Sequence, residues 1–487
     1  MIKNERQYRI TQAQLKKIEQ AFTKLTESSS ESEDVHPLLW KAQQDALQSK
    51  LSELREEIDE YEILKSGQQI MLELESLEEL PLAVIKARIA AGLSQKELAE
   101  RLGLKEQQIQ RYENTEYASA SFSRLVEVSQ ALGLRVQENV FLRSDKVSLK
   151  NLLKRLNQVG IDKNLVLRRL LPQSIVANIE AGKVSTEEAD SWVFYLTRVL
   201  NRIFGLTPAA IFGSGSLQLN TAAVGTARFK VTARTDERRL NAYTVYAHFL
   251  ALILLDATST LPKKPIPTDA KEVRETIIST YGSLTFKNAL YYVWSLGVPV
   301  LPLKDSSAFH GAFWRVEGRN VIVLKQKTPS VARWLFDLLH ELFHASQEPN
   351  LDERTVLEAE ETAEERQESD EELEASLFAG EVVLAGRAEE LAEMCVNAAK
   401  GSVERLKKVV PQIAHRENVS VDSLANYMAF RLSLQRINWW GAATNLQEIN
   451  REPWQLARDL LLQSSNFGQL NAVDRNLLLQ ALSDVEN

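Results

Sequence analysis

The chain of 487 residues carries 58 Lys+Arg against 66 Asp+Glu, a formal charge of −8, with 44% hydrophobic and 25% charged residues. This composition supports large cores over about three domains. It excludes a chain disordered throughout and one that coats nucleic acid over its whole surface, but not a single DNA-reading module. One cysteine, Cys395, excludes an intrachain disulfide and a cysteine-rich zinc site. The polar start MIKNERQYRITQAQLKK and the lack of a run of about 18 apolar residues predict a cytoplasmic protein with no membrane partner.

Apolar residues recur at Leu15, Ile18, Phe22 and Leu25, and again at Leu47, Leu51, Leu54, Ile58 and Tyr61, which predicts two helices. The Ser- and acid-rich SSSESEDVHP between them reads as a loop. Residues 1–80 are therefore expected to form a helical hairpin or coiled-coil region, used for packing or for homodimerisation.

Residues 81–140 read as a compact helical unit. Ser94 and Glu97 form an S-x-x-E capping box ahead of an apolar-periodic run, so a helix should start at Ser94. Ala99 is small enough for a close helix crossing, and Gly103 supplies a left-handed turn. Leu98, Leu102, Leu104 and Ile109 then face a shared core. Lys105, Glu106, Gln107, Gln108, Gln110 and Arg111 are left on the outside of the second helix, with the fork geometries that pair with base edges and the donors that hold phosphates.

With Gln95, Ala99, Gly103, Ile109 and Glu113 in place, this segment resembles the Xre-type helix-turn-helix family of phage repressors. The resemblance implies base contacts from Glu106, Gln107 and Arg111, backbone contacts from Gln95 and Lys105, and a double-stranded DNA operator as partner. Asn114 stands where the family usually has glycine, and asparagine tolerates the left-handed conformation. Residues 82–136 hold eight Lys+Arg and six Asp+Glu, so phosphate neutralisation by one copy is weak and a dimer is expected.

Residues 141–235 read as a helical middle region ending in a hinge rich in small and turn residues at 213–235. From 236 to 487 the character changes. Helical patterns at 236–256, 271–281 and 285–296 precede extended runs at 298–303, 311–316 and 320–325, and helices follow to the end. The exposed edge of the run at 320–325 is the expected place for an extended substrate to add.

The string TPSVARWLFDLLHELFHAS predicts a long buried helix with Thr328 as N-cap and Pro329 at its first position. His340 and His344, four residues apart, share one face of it. Both imidazoles can then reach one ion, and Glu341 can reach water beside it, the H-E-x-x-H arrangement of zinc peptidases. Catalytic zinc needs a third protein ligand, and the helix predicted over 368–384 offers Glu371, Glu372 and Glu374.

From about 236 to 432 the chain resembles the ImmA/IrrE metallopeptidases, which pair HExxH with a later helix that matches here at Glu372, Ala375, Ser376, Phe378 and Ala379. The resemblance implies Zn2+ held by His340, His344 and Glu372, with Glu341 as catalytic base. Ser376 departs from the family's Asn or Asp. Residues 351–374 contain twelve Asp+Glu, so the choice between Glu372 and Glu374 rests on which faces the apolar side with Ala375 and Phe378. His415 and Tyr427 are candidate oxyanion donors that read more readily as packed or surface residues, and His36, His248 and His310 read as structural.

The expected fold is mainly α: a helical N-terminal region with a helix-turn-helix, then an α+β zincin-like domain with a small sheet and C-terminal helices. The expected function is a DNA-binding transcriptional regulator whose zinc endopeptidase domain cleaves itself or a cognate Xre-type repressor under stress or phage signals. The alternative is a non-proteolytic regulator or antitoxin whose peptidase-like domain senses a ligand or metal.

Overall fold

A computed structural model of the chain describes residues 1–28, 37–67, 72, 74, 77–136, 148–181, 183, 186–219, 237–305, 309–326, 328–359, 370–447 and 453–483. The chain divides into two compact units, Met1–Leu142 and Arg143–Asn487. Most of the expected hinge at 213–235 lies outside the described residues, as does His36.

The first unit is all helical. α1 (Glu5–Ser28) and α2 (Pro37–Lys65) form an antiparallel pair, shown by the stacked rings of Tyr8 and Tyr61, 5.0 Å apart, and the Lys65–Glu5 ion pair at 2.7 Å. The spacing of three and four predicted for the second helix is realised as a buried stripe at Leu51, Leu54, Ile58, Tyr61 and Leu64. Ile58, Tyr61 and Leu64 share a core with Leu80, Val84 and Ile85, so this part of the stripe is covered within the unit itself.

α3 (Leu80–Ala90), α4 (Gln95–Arg101), α5 (Glu106–Asn114) and α6 (Phe122–Ala131) complete the unit. Ser94 caps α4 with the predicted reciprocal box to Glu97. Gly103, at φ 65°, makes the left-handed turn into α5. Asn114 stays helical, and the left-handed positions fall instead on Glu116 and Tyr117, at φ 48° and 58°. The family glycine is unnecessary at 114 because the chain leaves the helix two residues later.

In the second unit one core runs from Leu149 to Leu482. The helix Glu237–Ala257 is long and apolar enough to cross a membrane, yet most of it is buried inside the protein. It covers one face of a four-stranded sheet of order β1-β3-β2-β4, made of β1 (Val300–Leu303), β2 (Phe309–Val316), β3 (Arg319–Lys325) and β4 (Arg354–Ala359).

β2 and β3 form an antiparallel hairpin through Glu317 and Gly318. Both have positive φ, the two-residue turn whose twist suits paired strands. β3 also runs parallel to β1, and β4 runs antiparallel to β2. The three extended runs read from sequence are thus strands, but β3 is interior and paired on both sides, so the expectation that a substrate adds to its edge is overturned. The edges of this sheet are β1 and β4.

The other sheet face supports the helix Val331–Ser346. Its N-cap is Ser330, whose Oγ accepts from the Arg333 amide at 3.1 Å, and not Thr328, whose hydroxyl accepts from the Ser330 amide. The helix Asp370–Val383 packs along it, and Val421–Ser433 closes over both. The architecture is mainly α, with an α+β second unit and C-terminal helices.

Candidate functional site

The periodicity that buries Trp334, Leu335, Leu338, Leu339 and Leu342 also carries His340, Glu341 and His344 inward, at 3%, 1% and 0% exposure. Buried imidazoles and carboxylates need partners, and the helix Asp370–Val383 supplies them. Its Ala375, Phe378, Ala379 and Val382 face the core, which turns Glu372 towards the histidines while Glu374 is exposed.

Glu372 Oε2 lies 3.1 Å from His340 Nε2, Glu372 Oε1 lies 3.5 Å from His344 Nε2, and the two Nε2 atoms are 3.2 Å apart. Zinc bonds of 2.0–2.1 Å at a tetrahedral angle place ligand atoms about 3.3 Å from one another. The donor set of two imidazoles and one carboxylate therefore fits a zinc ion in chemistry and in spacing. Among the described residues it is the one cluster of three or more His, Cys, Asp or Glu with its ligand atoms within 4.8 Å.

Each histidine's other ring nitrogen is also engaged. His340 Nδ1 is 3.3 Å from the Ser376 hydroxyl, and His344 Nδ1 is 2.9 Å from Glu371 Oε1. Arg354, on β4, donates to Glu371 Oε1 at 2.5 Å, to the His344 carbonyl at 2.9 Å and to Glu348 at 2.8 Å. Burial pushes the His344 imidazole down, but its bonds to Glu371 and Glu372 outweigh that and raise it to about 10. The bond to His344, aided by Arg354, holds Glu371 down at about 2 despite burial. Burial would raise Glu372, yet the two histidines hold it well below the usual carboxylate range.

Gly311 on β2 faces Glu341. A Cβ there would come within 2.1 Å of Glu341 Oε1, so the bare backbone makes room for this carboxylate. Neither candidate oxyanion donor is bonded to these groups: the Tyr427 hydroxyl donates to Glu389, and His415 is exposed with Nδ1 on the Pro411 carbonyl. His248 lies in the core with its ring 5.4 Å from that of Trp314, and burial pushes it down to about 4.

Glu371 is one of the three acids that the sequence offers as third ligand, and the structure places it instead on the far side of the His344 ring, at Nδ1. Arg354 and Gly311 carry no signal of their own, because each acts through a strand pairing that the acidic context or a small residue conceals.

In the first unit, Lys105, Glu106, Gln107 and Arg111 are all exposed along α5. Gln95 is half-buried at the start of α4, and its Nε2 donates to Glu113 Oε2 at 2.8 Å. Glu113 is itself held by Arg88, with donors at 2.5 and 2.7 Å and exposures of 3% and 0%. This bidentate pair ties α3 to the C-terminal part of α5 and so fixes the pitch of the exposed face.

A helix-turn-helix family model matches residues 84–139, and a peptidase-family model described as the IrrE N-terminal-like domain matches residues 295–427. No curated protein and no solved structure matches the chain. The chain joins an Xre-type helix-turn-helix, of a DNA-binding regulatory class, to an ImmA/IrrE-like peptidase-family domain.

Proposed function

We propose that the chain is a transcriptional regulator whose second unit is a zinc-dependent endopeptidase acting on an Xre-type repressor, on itself or on a sister copy, in response to stress or phage. The observation that carries this reading is the convergence of His340, His344 and Glu372 on one point beside Glu341. Exposure of Lys105, Glu106, Gln107 and Arg111 supports an operator-reading face, with Gln95 and Lys105 at the helix starts for phosphates. The domain limits that go with it are 1–80, 81–140, 141–235 and 236–487, and a homodimer would double the phosphate contacts.

His340, His344 and Glu372 would hold the zinc. A bound ion supplies Lewis acidity to the attacking water and to the scissile carbonyl. Glu341 takes the proton of the attacking water and delivers it to the leaving amine nitrogen. Fusion of the two modules raises the effective concentration of a tethered substrate.

The test uses purified full-length protein, with zinc content measured for wild type and His340→Ala. Cleavage of the protein itself and of a cognate Xre-type repressor is then compared between wild type and Glu341→Gln. Stoichiometric zinc that depends on His340, with cleavage reduced about 10²–10⁴-fold in Glu341→Gln, supports the reading. Zinc without cleavage of either substrate replaces it with metal or ligand sensing, and wild type that takes up no zinc overturns it.

A further inference from the structure

Resting on the zinc-centre reading above, we infer that Glu371 and Arg354 are a positioning pair for His344. Glu371 fixes the imidazole through Nδ1, and Arg354 keeps Glu371 in that supporting place beside the ligand Glu372.

Glu371 and Glu372 are consecutive on one helix, both reach the two-histidine cluster, and only one can serve as third ligand without closing the fourth position. Their surroundings separate the roles. Both oxygens of Glu372 approach Nε2 atoms, one of each histidine. Glu371 instead meets the far side of the His344 ring, at Nδ1, and the same oxygen accepts from Arg354. A second Arg354 nitrogen reaches the His344 carbonyl. One guanidinium therefore holds both the backbone of the histidine and the carboxylate that orients its ring.

A ring whose Nδ1–H is donated to a carboxylate has its tautomer fixed, with Nε2 left as the metal-facing lone pair, and is the more basic ligand for it. His340 has only the neutral Ser376 hydroxyl in the equivalent place. The two histidines are therefore unequally supported, and the supported one depends on a residue outside both helices, on the edge strand β4.

The experiment measures zinc affinity by chelator competition, and the cobalt(II) absorption spectrum, on full-length wild type, Glu371→Ala, Glu371→Gln, Arg354→Met and Glu374→Gln. Circular dichroism establishes that each variant is folded. Glu371→Ala is expected to lose about 10–100-fold in zinc affinity, and Glu371→Gln, which keeps an acceptor for Nδ1–H, to recover most of it. Exposed Glu374→Gln should match wild type. Arg354→Met should shift the cobalt spectrum towards higher coordination, as the released Glu371 moves to the ion.

Folded Glu371→Ala binding zinc within about twofold of wild type, or a Gln variant no better than Ala, overturns the positioning role. A cobalt spectrum of Arg354→Met identical to wild type overturns the part assigned to Arg354. Zinc uptake by wild type separates these failures from failure of the centre itself. A wild type that binds no zinc removes the zinc-centre reading and the pair together.

Discussion

At the scale of single residues, the chemistry turns on what stands opposite each buried charge. Gly311 matters for what it lacks: a methyl group there would overlap Glu341 Oε1, the end of a side chain at 1% exposure, and force that carboxylate to a new position. Gly311→Ala is expected to displace Glu341 while leaving the three ligand atoms in place. Zinc uptake should stay near wild type and peptide cleavage should fall at least tenfold, which metal analysis and a cleavage assay on the same preparation check. The pairing of His344 with Glu371 makes a pH prediction. The His344 value is raised from 6.5 to about 10, so in metal-free protein its contribution to stability is complete below pH 6.5 and is lost as pH rises through 10. The Glu371 value is lowered from 4.5 to about 2, so its contribution is complete above pH 4.5 and is lost as pH falls through 2. The pair stabilises the metal-free centre most between pH 4.5 and 6.5, which urea unfolding with a chelator present should show and His344→Leu should flatten. Zinc must displace the His344 proton, so its affinity should climb with pH through the neutral range.

At the scale of elements, much of the architecture was legible because periodic burial and local caps agree. The S-x-x-E box at Ser94, the left-handed Gly103 and the inward stripe of the HExxH helix are all local signals, and all three are realised. β4 was not legible. RTVLEA opens a stretch dense in acids, so its alternation is short, its charge reads as solvated, and its identity as a strand depends on pairing with a distant β2. For the same reason β3 looked like an edge when its second neighbour was unseen. The cap at Ser330 was hidden by Pro329, which made Thr328 look like the start of the helix. In the first unit, the buried Arg88–Glu113 pair joins α3 to α5. Glu113→Ala leaves a guanidinium at 3% exposure without its counter-charge, which costs about 3–5 kcal/mol, whereas Arg88→Met with Glu113→Leu should recover most of that. Chemical unfolding of the two variants, with operator binding as a second readout, checks it.

At the scale of the whole molecule, each unit closes its own core, one drawing on Ile2 to Val128 and the other on Leu149 to Leu482. Calorimetry of the intact chain should therefore show two unfolding transitions. Zinc at about 100 times its dissociation constant should add about 2.7 kcal/mol to the second unit alone, and His340→Ala should abolish that shift. One transition that moves as a whole with zinc would contradict independent cores. The pairing of a regulatory module with a peptidase-family module was legible from two short motifs with local spacing. The third ligand was not legible from spacing, because consecutive glutamates look alike in a sequence and differ only once a helix face is fixed.

The arginine on β4 has an electrostatic consequence. Beside the two imidazoles stand the carboxylates of Glu341, Glu371 and Glu372, while Arg354 divides its guanidinium between Glu371 and the exposed Glu348. Once a metal ion displaces the His344 proton, these carboxylates leave the ligand atoms in anionic surroundings, which favours a multiply charged cation. Charge around the centre thus draws a cation in, and the ligand types and their geometry discriminate among the metals.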